Sequence, residues 1–379
     1  MRMLAAVMYE QGLPAPFAKS QPFRIEEVEL DGPGEGELLV EVRGAGLCHS
    51  DLTVLEGMRK RPLPVVGGHE GAAIVREVGR GVTGFQVGDH VTMSPVAGCG
   101  QCRFCQARRP GLCKAVTAAK AQGMLGTGVR RLRFPDGGLL NHYSGISVYA
   151  QYAVVTPQSL IKIDKSVPLD IAALFGCAVV TGAGAVFNSA QVKPGSTVAI
   201  LGLGGVGLTA VMAARESGAA KIIGLDVLPS KFDLAQAVGA THCFDVREPE
   251  TVQQVRDLSN GGVDYAFEIS GQRNALDMAQ QITAPGGEVI GVGVGRATAM
   301  FTVAHLPWVN DERVLRGSYM GGGVPQDDIP RYVDMYLRGQ LPVDRLRSEP
   351  LRFDQLNEGF DRLSAGSVVR QILLPHGSI

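Results

Sequence analysis

Val198-Ala-Ile-Leu-Gly-Leu-Gly-Gly-Val-Gly207 opens the stretch that decides the fold. An apolar run follows and ends near Ser217, after which Lys221-Ile-Ile-Gly-Leu-Asp226 closes on an acid. This order predicts a strand, a glycine turn, a helix, a second strand and a carboxylate, which together are the fingerprint of a dinucleotide-binding unit. An ordinary βαβ turn that happens to be rich in glycine is the alternative.

Each glycine of this turn has a predicted role. Gly202 allows the tight turn, Gly204 lets the backbone approach a pyrophosphate, and Gly207 lets the helix pack on the strand. The helix N-terminus offers N–H groups and the positive end of its dipole to the phosphates. The turn residues predicted to bind the cofactor are Gly202, Gly204, Gly205, Val206 and Gly207. Asp226 can accept from both ribose hydroxyls and would repel a 2′-phosphate, which favours NAD over NADP.

The length, composition and charge of the whole chain limit the classes of protein it can belong to. A chain of 379 residues is expected to form two domains, and 45% hydrophobic residues are enough for a core. The net charge of −1 favours neither nucleic acid nor an anionic membrane as a partner. No apolar run approaches a membrane span, and the N-terminus predicts a first strand instead of a signal peptide. Seven cysteines, four of them bunched, suit metal sites in a reducing cytoplasm better than disulfides.

Two short clusters in the β-rich first hundred residues combine a metal ligand with a carboxylate. Cys48 lies close to Asp51, and His69 directly precedes Glu70. Zinc takes thiolate and imidazole ligands, and a ligating imidazole usually donates its other N–H to a carboxylate, for which Asp51 is the candidate. Taken singly, Cys48 is more often a small buried apolar residue and His69 a turn histidine with its own partners.

The most specific local signal is a lobe of four cysteines with the spacing C-x2-C-x2-C-x7-C. Its members are Cys99, Cys102, Cys105 and Cys113. Four thiolates complete a tetrahedral site and leave no open position, which is typical of structural zinc. An iron–sulfur cluster is the rival, but that pattern has an earlier fourth cysteine followed by proline, whereas Lys114 follows Cys113 here. Disulfides, the third option, would need an oxidising compartment.

The segment from Lys114 to Ser144 is irregular, with a turn predicted at Phe134-Pro-Asp-Gly-Gly138. Its arginines, Arg130, Arg131 and Arg133, fit a solvated hairpin face, and a grip on an anionic substrate is the alternative. A strand is predicted over 147–155 and a short helix over 168–175. Cys177 then stands in an apolar, glycine-rich run just before the nucleotide unit, and its alternative is a buried core cysteine.

After Asp226 the alternation of strands and helices continues. Strands are predicted at 241–245, 263–270, 287–293 and 314–318, and helices at 251–258 and 274–282. Six strands with crossovers give a doubly wound parallel sheet. Beyond about Met320, two amphipathic helices and a strand over 367–374 are expected to return to the first domain. The predicted domains are therefore 1–178 with 320–379, and 179–319.

Taken together, these motifs identify a resemblance over essentially the whole chain. The chain resembles the zinc-dependent alcohol dehydrogenases of the medium-chain dehydrogenase/reductase superfamily. The resemblance is carried by Cys48-His-Ser-Asp51, Gly68-His69-Glu70, the four-cysteine lobe, Gly176-Cys177, Gly202–Gly207 with Asp226, and Arg370. It implies an α/β chain with a β-rich, GroES-like catalytic domain and a Rossmann domain with a doubly wound, six-stranded parallel sheet. It also implies NAD and two zinc ions per subunit, one catalytic and one structural.

The resemblance also implies roles for single residues. Cys48, His69 and Cys177 would hold the catalytic zinc. Two cysteines and one histidine are the known ligands of the catalytic zinc in alcohol dehydrogenase. Asp51 would support His69, Glu70 would assist ligand exchange, and Ser50 would start the proton relay. The positions implied to contact the cofactor are His49 and Arg370 at the pyrophosphate, Thr181 near the nicotinamide and Lys231 near the adenosine ribose.

The implied reaction is reversible hydride transfer between a primary alcohol, aromatic or of medium chain length, and NAD. Oxidation of a thiol–formaldehyde adduct is the alternative, and a non-catalytic nucleotide-binding relative is a remote one. Two positions depart from relatives: Thr53 replaces a histidine that ends the relay in liver-type enzymes, and Thr117 replaces an arginine of glutathione-dependent formaldehyde dehydrogenases. The long 114–144 segment favours a homodimer over a tetramer, by analogy alone.

Overall fold

The computed structural model describes residues 1–377, which form two compact units. The first unit contains Met1–Cys177, Val324–Leu337 and the segment from Val343 on, and the second contains Ala178–Gly323 and Arg338–Pro342. Among these residues no single helix is long and apolar enough to cross a membrane. Leu169–Gly176 and Ala178–Ala190 reach that length and composition only as a bent pair.

The regular elements follow one another in short steps along the chain. The strands are β1 (Arg2–Met8), β2 (Phe23–Leu30), β3 (Leu38–Gly46), β4 (Val65–Val66), β5 (Gly71–Val78), β6 (His90–Met93), β7 (Leu132–Arg133), β8 (Asn141–His142), β9 (Tyr152–Val155), β10 (Leu160–Lys162), β11 (Thr197–Leu201), β12 (Lys221–Asp226), β13 (His242–Asp245), β14 (Val263–Glu268), β15 (Thr283–Gly291), β16 (Val314–Gly317) and β17 (Ile372–Leu373). The α-helices are α1 (Phe17–Ser20), α2 (His49–Leu55), α3 (Arg103–Gln106), α4 (Lys114–Ala121), α5 (Leu169–Ala172), α6 (Ala178–Gly184), α7 (Gly205–Glu216), α8 (Phe232–Val238), α9 (Thr251–Leu258), α10 (Arg273–Ile282), α11 (His305–Asn310), α12 (Pro325–Leu337) and α13 (Leu356–Ser364). A π-helical turn, Ala185–Ala190, extends α6, and 3-10 turns lie at Pro110–Leu112, Pro157–Ser159, Ala173–Gly176, Pro229–Lys231, Val343–Leu346 and Phe353–Gln355.

The first unit is built on two sheets, of which the first is mixed, with β4 and β8 parallel, and the second is antiparallel. One has the strand order β7-β2-β1-β4-β8, and the other has the order β10-β6-β5-β3-β17 with β9 also paired to β3. Their apolar faces enclose a core that includes Val40, Val42 and Phe360, all fully buried. Burial of each such side chain contributes about 1.5–3 kcal/mol to stability, so this core holds the unit together.

The end of β3 determines where the first unit places its chemistry. The Gly46 N–H donates to the Glu70 carbonyl at 2.8 Å, and Ala45 is paired with Gly71 in β5. Cys48 then caps α2, whose first turn carries Asp51. The antiparallel pair therefore brings the segments around Cys48 and His69 side by side, although 20 positions separate them in the sequence.

The second unit is a six-stranded parallel sheet with the order β13-β12-β11-β14-β15-β16. Helices connect successive strands, and the order reverses at β11, which makes the sheet doubly wound as the sequence predicts. Its core includes Leu201, Ile223 and Ala266, all nearly or fully buried.

Two predicted strands of the first unit are much shorter in the structure than in the sequence pattern. Over 147–155 only Tyr152–Val155 is a regular strand, because Ser147 has a left-handed backbone (φ 47°) and breaks the alternation. Over 367–374 the strand is Ile372–Leu373, since Arg370 makes only an isolated bridge with Arg347.

Candidate active site and metal centres

Four side chains of the first unit converge on one buried point. Cys48, His69, Glu70 and Cys177 each offer a ligand atom, and these atoms all lie within 4.8 Å of one another. The Cys177 Sγ lies 3.4 Å from the His69 Nε2. All four residues are at most 5% exposed. The structure thus brings together the predicted ligands of the catalytic metal.

The predicted role of Asp51 has a clear geometry. Its Oδ1 lies 2.7 Å from the His69 Nδ1, while its Oδ2 accepts from the Tyr149 hydroxyl at 2.9 Å and from the Cys48 N–H at 3.3 Å. A carboxylate at Nδ1 keeps the proton on that nitrogen and leaves the Nε2 lone pair for a metal. Burial opposes a charge here, but Asp51 raises the pKa of His69 well above its usual 6.5.

Glu70 belongs to the same cluster, and only one of its two carboxylate oxygens has a hydrogen-bond partner among the described residues. Its Oε2 accepts from the Arg370 Nη1 at 3.0 Å, and the same nitrogen donates to the Leu47 carbonyl. The other carboxylate oxygen, Oε1, is buried and has no hydrogen-bond partner within residues 1–377. Burial raises the pKa of Glu70 to about 7, and Arg370 opposes that rise.

The donor set fits zinc. Two thiols and an imidazole whose remote nitrogen is held by a carboxylate are the ligands that zinc takes at catalytic sites, where three protein ligands leave a position open. A hydrogen bond from Cys177, together with the charges of Arg370 and His69, holds the pKa of Cys48 well below its usual 9.0. The unpartnered oxygen of Glu70 in the same cluster is also a polar atom that a cation would satisfy.

The predicted relay residues follow Cys48 on α2. The Ser50 hydroxyl is not hydrogen-bonded to any described residue, whereas the Thr53 hydroxyl donates to the Ser50 carbonyl at 2.9 Å. Thr53 is therefore tied to the helix backbone and does not extend a chain of hydroxyls from Ser50. His49 is exposed at the start of the helix.

The four-cysteine lobe forms a second cluster, with ligand atoms that also lie within 4.8 Å of one another. The Cys102 and Cys105 sulfurs are 3.6 Å apart, and the Cys99 N–H donates to the Cys113 sulfur at 3.4 Å. Backbone N–H groups of Gln101 and Cys102 lower the pKa of Cys99 to about 6. Such donors stabilise thiolates, so the lobe suits a closed four-sulfur zinc site.

The glycine turn of the second unit has the predicted shape. Gly202 has φ +105°, and a Cβ on Gly207 would lie 1.8 Å from the Gly202 carbonyl oxygen. A Cβ on Gly204 would project into open space, with no atom within 4 Å. The turn and the start of α7 therefore leave room for a phosphate group beside backbone N–H groups.

Asp226 ends β12 beside this turn. Its Oδ2 accepts from the Leu203 N–H at 2.7 Å, its Oδ1 accepts from the Leu228 N–H at 3.0 Å, and the Lys231 ammonium lies 3.1 Å away. The carboxylate is thus fixed against the turn that would hold the pyrophosphate. Thr181, on α6, donates its hydroxyl to the Met320 sulfur at 3.5 Å.

The arginines of the 114–144 segment are engaged elsewhere. Arg131 pairs with Glu37, and Arg133 pairs with Glu29 and Asp31. Arg130 donates to the Asn141 side chain. These contacts favour the hairpin-face interpretation over an anion grip.

Sequence reasoning missed two aromatic residues at the site. Tyr149 donates to Asp51, and the Tyr143 ring centre lies 6.0 Å from that of His69. Both stand in segments whose pattern predicts only a strand or a loop. No spacing signal links them to Asp51 or His69, because the contacts depend on the chain path between β8 and β9.

Comparisons with known proteins agree with this geometry. The family model described as "Alcohol dehydrogenase GroES-like domain" matches residues 34–165, and the one described as "Zinc-binding dehydrogenase" matches residues 205–338. The S-(hydroxymethyl)glutathione dehydrogenase of Synechocystis is 36% identical over 377 residues, which cover 98% of this chain and 100% of that protein. The chain belongs to the zinc-dependent alcohol dehydrogenase family.

Two further proteins of the family are similar to this chain over nearly its whole length. The class-3 alcohol dehydrogenase of Drosophila melanogaster is 38% identical, over 93% of this chain and 94% of that one. The crystal structure of benzyl alcohol dehydrogenase from Acinetobacter calcoaceticus superposes with a TM-score of 0.91 at 30% identity and covers 99% of each chain. The family and both metal clusters make this protein an oxidoreductase that uses NAD and zinc.

Proposed function

We propose that the protein catalyses reversible oxidation of a primary alcohol, aromatic or of medium chain length, to the aldehyde with NAD. The observation that carries the proposal is the buried Cys48–His69–Cys177 cluster, with His69 oriented by Asp51. The benzyl alcohol dehydrogenase, whose fold this chain shares, supports an aromatic substrate.

Each residue of the site has its own proposed role in this reaction. Cys48, His69 and Cys177 hold the metal, and Asp51 fixes the imidazole that binds it. When bound, zinc would supply a Lewis acid at this site and NAD would supply a hydride acceptor. The Ser50 hydroxyl accepts the alcohol proton and passes it towards solvent. With NAD bound as the hydride acceptor, the overall reaction would balance as alcohol and NAD giving aldehyde, NADH and one proton.

Further roles follow for the remaining predicted residues. Asp226 binds the ribose hydroxyls and Lys231 lies at the edge of the same ribose. The glycine turn binds the pyrophosphate, His49 and Arg370 are further residues proposed to contact it, and Thr181 lies near the nicotinamide. Glu70, with one oxygen unpartnered beside the ligands, assists exchange of water and substrate at the metal.

A second candidate function is oxidation of S-(hydroxymethyl)glutathione by the same residues. It is supported by relatives that carry this name at 35–36% identity over nearly the whole chain. Against it, Thr117 is exposed and donates its hydroxyl to the Cys113 carbonyl, so this position offers no cation to a glutathione carboxylate.

The deciding experiment follows NADH absorbance with benzyl alcohol, hexan-1-ol, and glutathione plus formaldehyde as separate substrates. Turnover of an alcohol without thiol supports the first function, and turnover only of the adduct supports the second. Failure of every substrate with zinc-loaded, NADH-binding protein would overturn both. Ser50→Ala is the matched variant, because it removes the proton acceptor and leaves the three metal ligands.

We also propose a homodimer. Strand β16 is the edge of its sheet and pairs only with β15 among the described residues. Exposed apolar side chains lie near it, namely Leu306, Trp308, Val309 and Val314. An open edge with apolar neighbours can pair with the same edge of a second copy about a two-fold axis. Light scattering should give twice the chain mass, and Val309→Glu should reduce it to one chain.

A cytoplasmic location is proposed from the cysteines. All seven are free thiols, and six of them belong to the two clusters. Thiolate metal sites persist in a reducing compartment. Cell fractionation would test the location.

A further inference from the structure

Three consecutive cations follow α2, the helix that begins directly after Cys48. Arg59 and Arg61 are half-buried and Lys60 is exposed. None of the three forms an ion pair with an acid anywhere in residues 1–377. The contrast with Arg131 and Arg133, both paired with glutamates, shows that this chain provides acids for other arginines but not for these.

Arg61 is held next to the active site. Its guanidinium carbon lies 5.6 Å from the centre of the Tyr143 ring, and that ring lies 6.0 Å from the His69 ring. The two contacts share one ring, so the guanidinium stands one aromatic ring away from a metal ligand. The Arg61 Nε is buried and lacks a hydrogen-bond partner in the described chain.

The backbone of the segment is fixed by Gln11. Its side-chain nitrogen donates to the carbonyls of Val54 and Arg59 at 2.8 and 2.9 Å, and its oxygen accepts from the Arg61 N–H at 3.2 Å. This clamp ties the cations to the end of α2, the helix that carries Ser50. The position of Arg61 relative to the proposed reaction centre is therefore set by the fold.

A half-buried guanidinium with an unpartnered Nε is costly unless something satisfies it. A carboxylate is the ligand that fits best, since it accepts two parallel hydrogen bonds from the planar fork. We propose that the substrate carries a carboxylate and that Arg61 binds it. This inference rests on the proposed alcohol oxidation and names its substrate class.

Two sources supply such a carboxylate: an aromatic acid with a hydroxymethyl group, and the glutathione part of the thiol adduct. The first arm of the test compares kcat/KM for 4-(hydroxymethyl)benzoate and the neutral 4-(hydroxymethyl)benzamide. The second arm uses S-(hydroxymethyl)glutathione. The variants are Arg61→Gln, Arg61→Lys, and Arg133→Gln as a control that removes a cation already paired with Glu29.

The expected result is a preference for the anion over the amide that Arg61→Gln lowers by about 10- to 100-fold, mainly through KM. Arg61→Lys should lose part of this preference, because an ammonium lacks the two parallel N–H donors of a guanidinium. Arg133→Gln should leave the ratio of kcat/KM for anion and amide unchanged. A loss confined to the adduct would assign the carboxylate to glutathione. Equal kcat/KM for anion and amide, with no effect of Arg61→Gln in either arm, overturns the inference.

A binding measurement separates this inference from the proposed function. Calorimetry with benzoate as the probe, on zinc-loaded protein, needs no turnover. Weaker binding to Arg61→Gln than to wild type and Arg133→Gln supports the carboxylate site even if no alcohol is oxidised. Equal binding by all three proteins contradicts it. Circular dichroism melting confirms that each variant is folded.

Discussion

Asp226 illustrates how one carboxylate can decide between cofactors. Its oxygens accept from the Leu203 and Leu228 N–H groups, so the charge is fixed beside the glycine turn. Asp226→Ala should lower the preference for NAD over NADP by about 10- to 100-fold, because it removes charged hydrogen bonds and the repulsion of a 2′-phosphate. The ratio of kcat/KM for the two cofactors measures it.

Asp245→Ala is the control for this change. Asp245 is the register partner of Asp226 on the neighbouring strand and pairs with Arg247. If the ratio of kcat/KM for NAD and NADP were unchanged in Asp226→Ala, or changed equally in Asp245→Ala, Asp226 would not be the residue that binds the ribose hydroxyls.

His142 should make the fold sensitive to acid. Burial, with the charges of Arg130 and Arg131, lowers its pKa from the usual 6.5 to about 3, and its Nε2 accepts from the Arg131 N–H. Below pH 6.5 His142 binds a proton in the unfolded chain but stays neutral in the folded protein. The free energy of unfolding therefore falls as pH falls towards 3. At pH 5 this contribution amounts to about 2 kcal/mol.

The measurement is denaturant unfolding at pH 7 and pH 5 for wild type, His142→Gln and His305→Gln. Wild type and the control, which changes an exposed histidine, should lose more stability at pH 5 than His142→Gln. The same loss in all three proteins would place the acid sensitivity elsewhere, for instance at the metal ligands.

At the residue scale, spacing predicts ligands better than it predicts their surroundings. Cys48, His69 and Cys177 were identifiable only through the resemblance to zinc-dependent alcohol dehydrogenases, whose catalytic zinc takes this ligand set. Arg61 and Tyr143 were not, since a basic triplet after a helix is usually a solvated face. Their proximity to His69 depends on long-range packing that no local pattern encodes.

Among the elements, the cysteine lobe has little apolar content of its own. Its small cluster of buried residues consists of Ala97, Cys113 and Val116, with three half-buried cysteines packed against it. A metal must supply the missing cohesion. Cys105→Ser should therefore lower the melting temperature by roughly 5–10 °C before it affects catalysis.

Cys243→Ser is the matched control, since Cys243 is half-buried on β13 and belongs to neither cluster. Calorimetric melting together with zinc analysis makes the comparison. Retention of the wild-type transition and of both zinc ions in Cys105→Ser would contradict a structural metal in the lobe.

Element prediction succeeded where one hydrophobic period dominated, and it assigned no element where glycines interrupt an apolar run. The helices of the second unit, such as Thr251–Leu258, follow their apolar period closely. The apolar, glycine-rich run before the nucleotide unit, for which the sequence analysis predicts no element, forms α6. A Cβ on Gly182 would lie 2.1 Å from the Thr209 hydroxyl, so glycine here permits close helix packing instead of ending a helix.

At the scale of the whole molecule, the sequence predicts two kinds of chemistry on separate units. The metal ligands Cys48, His69 and Cys177 belong to the first unit, and the glycine turn with Asp226 belongs to the second. This separation follows from the motifs, because parallel βαβ alternation begins only after Cys177. The register of the short strands around the site could not be predicted, since isolated bridges and left-handed residues set it.

Removal of one metal ligand should therefore separate turnover from cofactor binding. Cys48→Ala leaves two protein ligands at a site that needs three, so kcat/KM for the best alcohol should fall at least about 1000-fold as Lewis-acid catalysis is lost. NADH binding, measured by fluorescence, should stay close to that of wild type, because Cys48 is not a proposed cofactor contact and the glycine turn and Asp226 lie in the second unit. Zinc analysis should show loss of the catalytic ion with the lobe ion retained. Normal turnover in Cys48→Ala would refute the ligand assignment, whereas loss of NADH binding in a folded variant would show that the two units do not act independently.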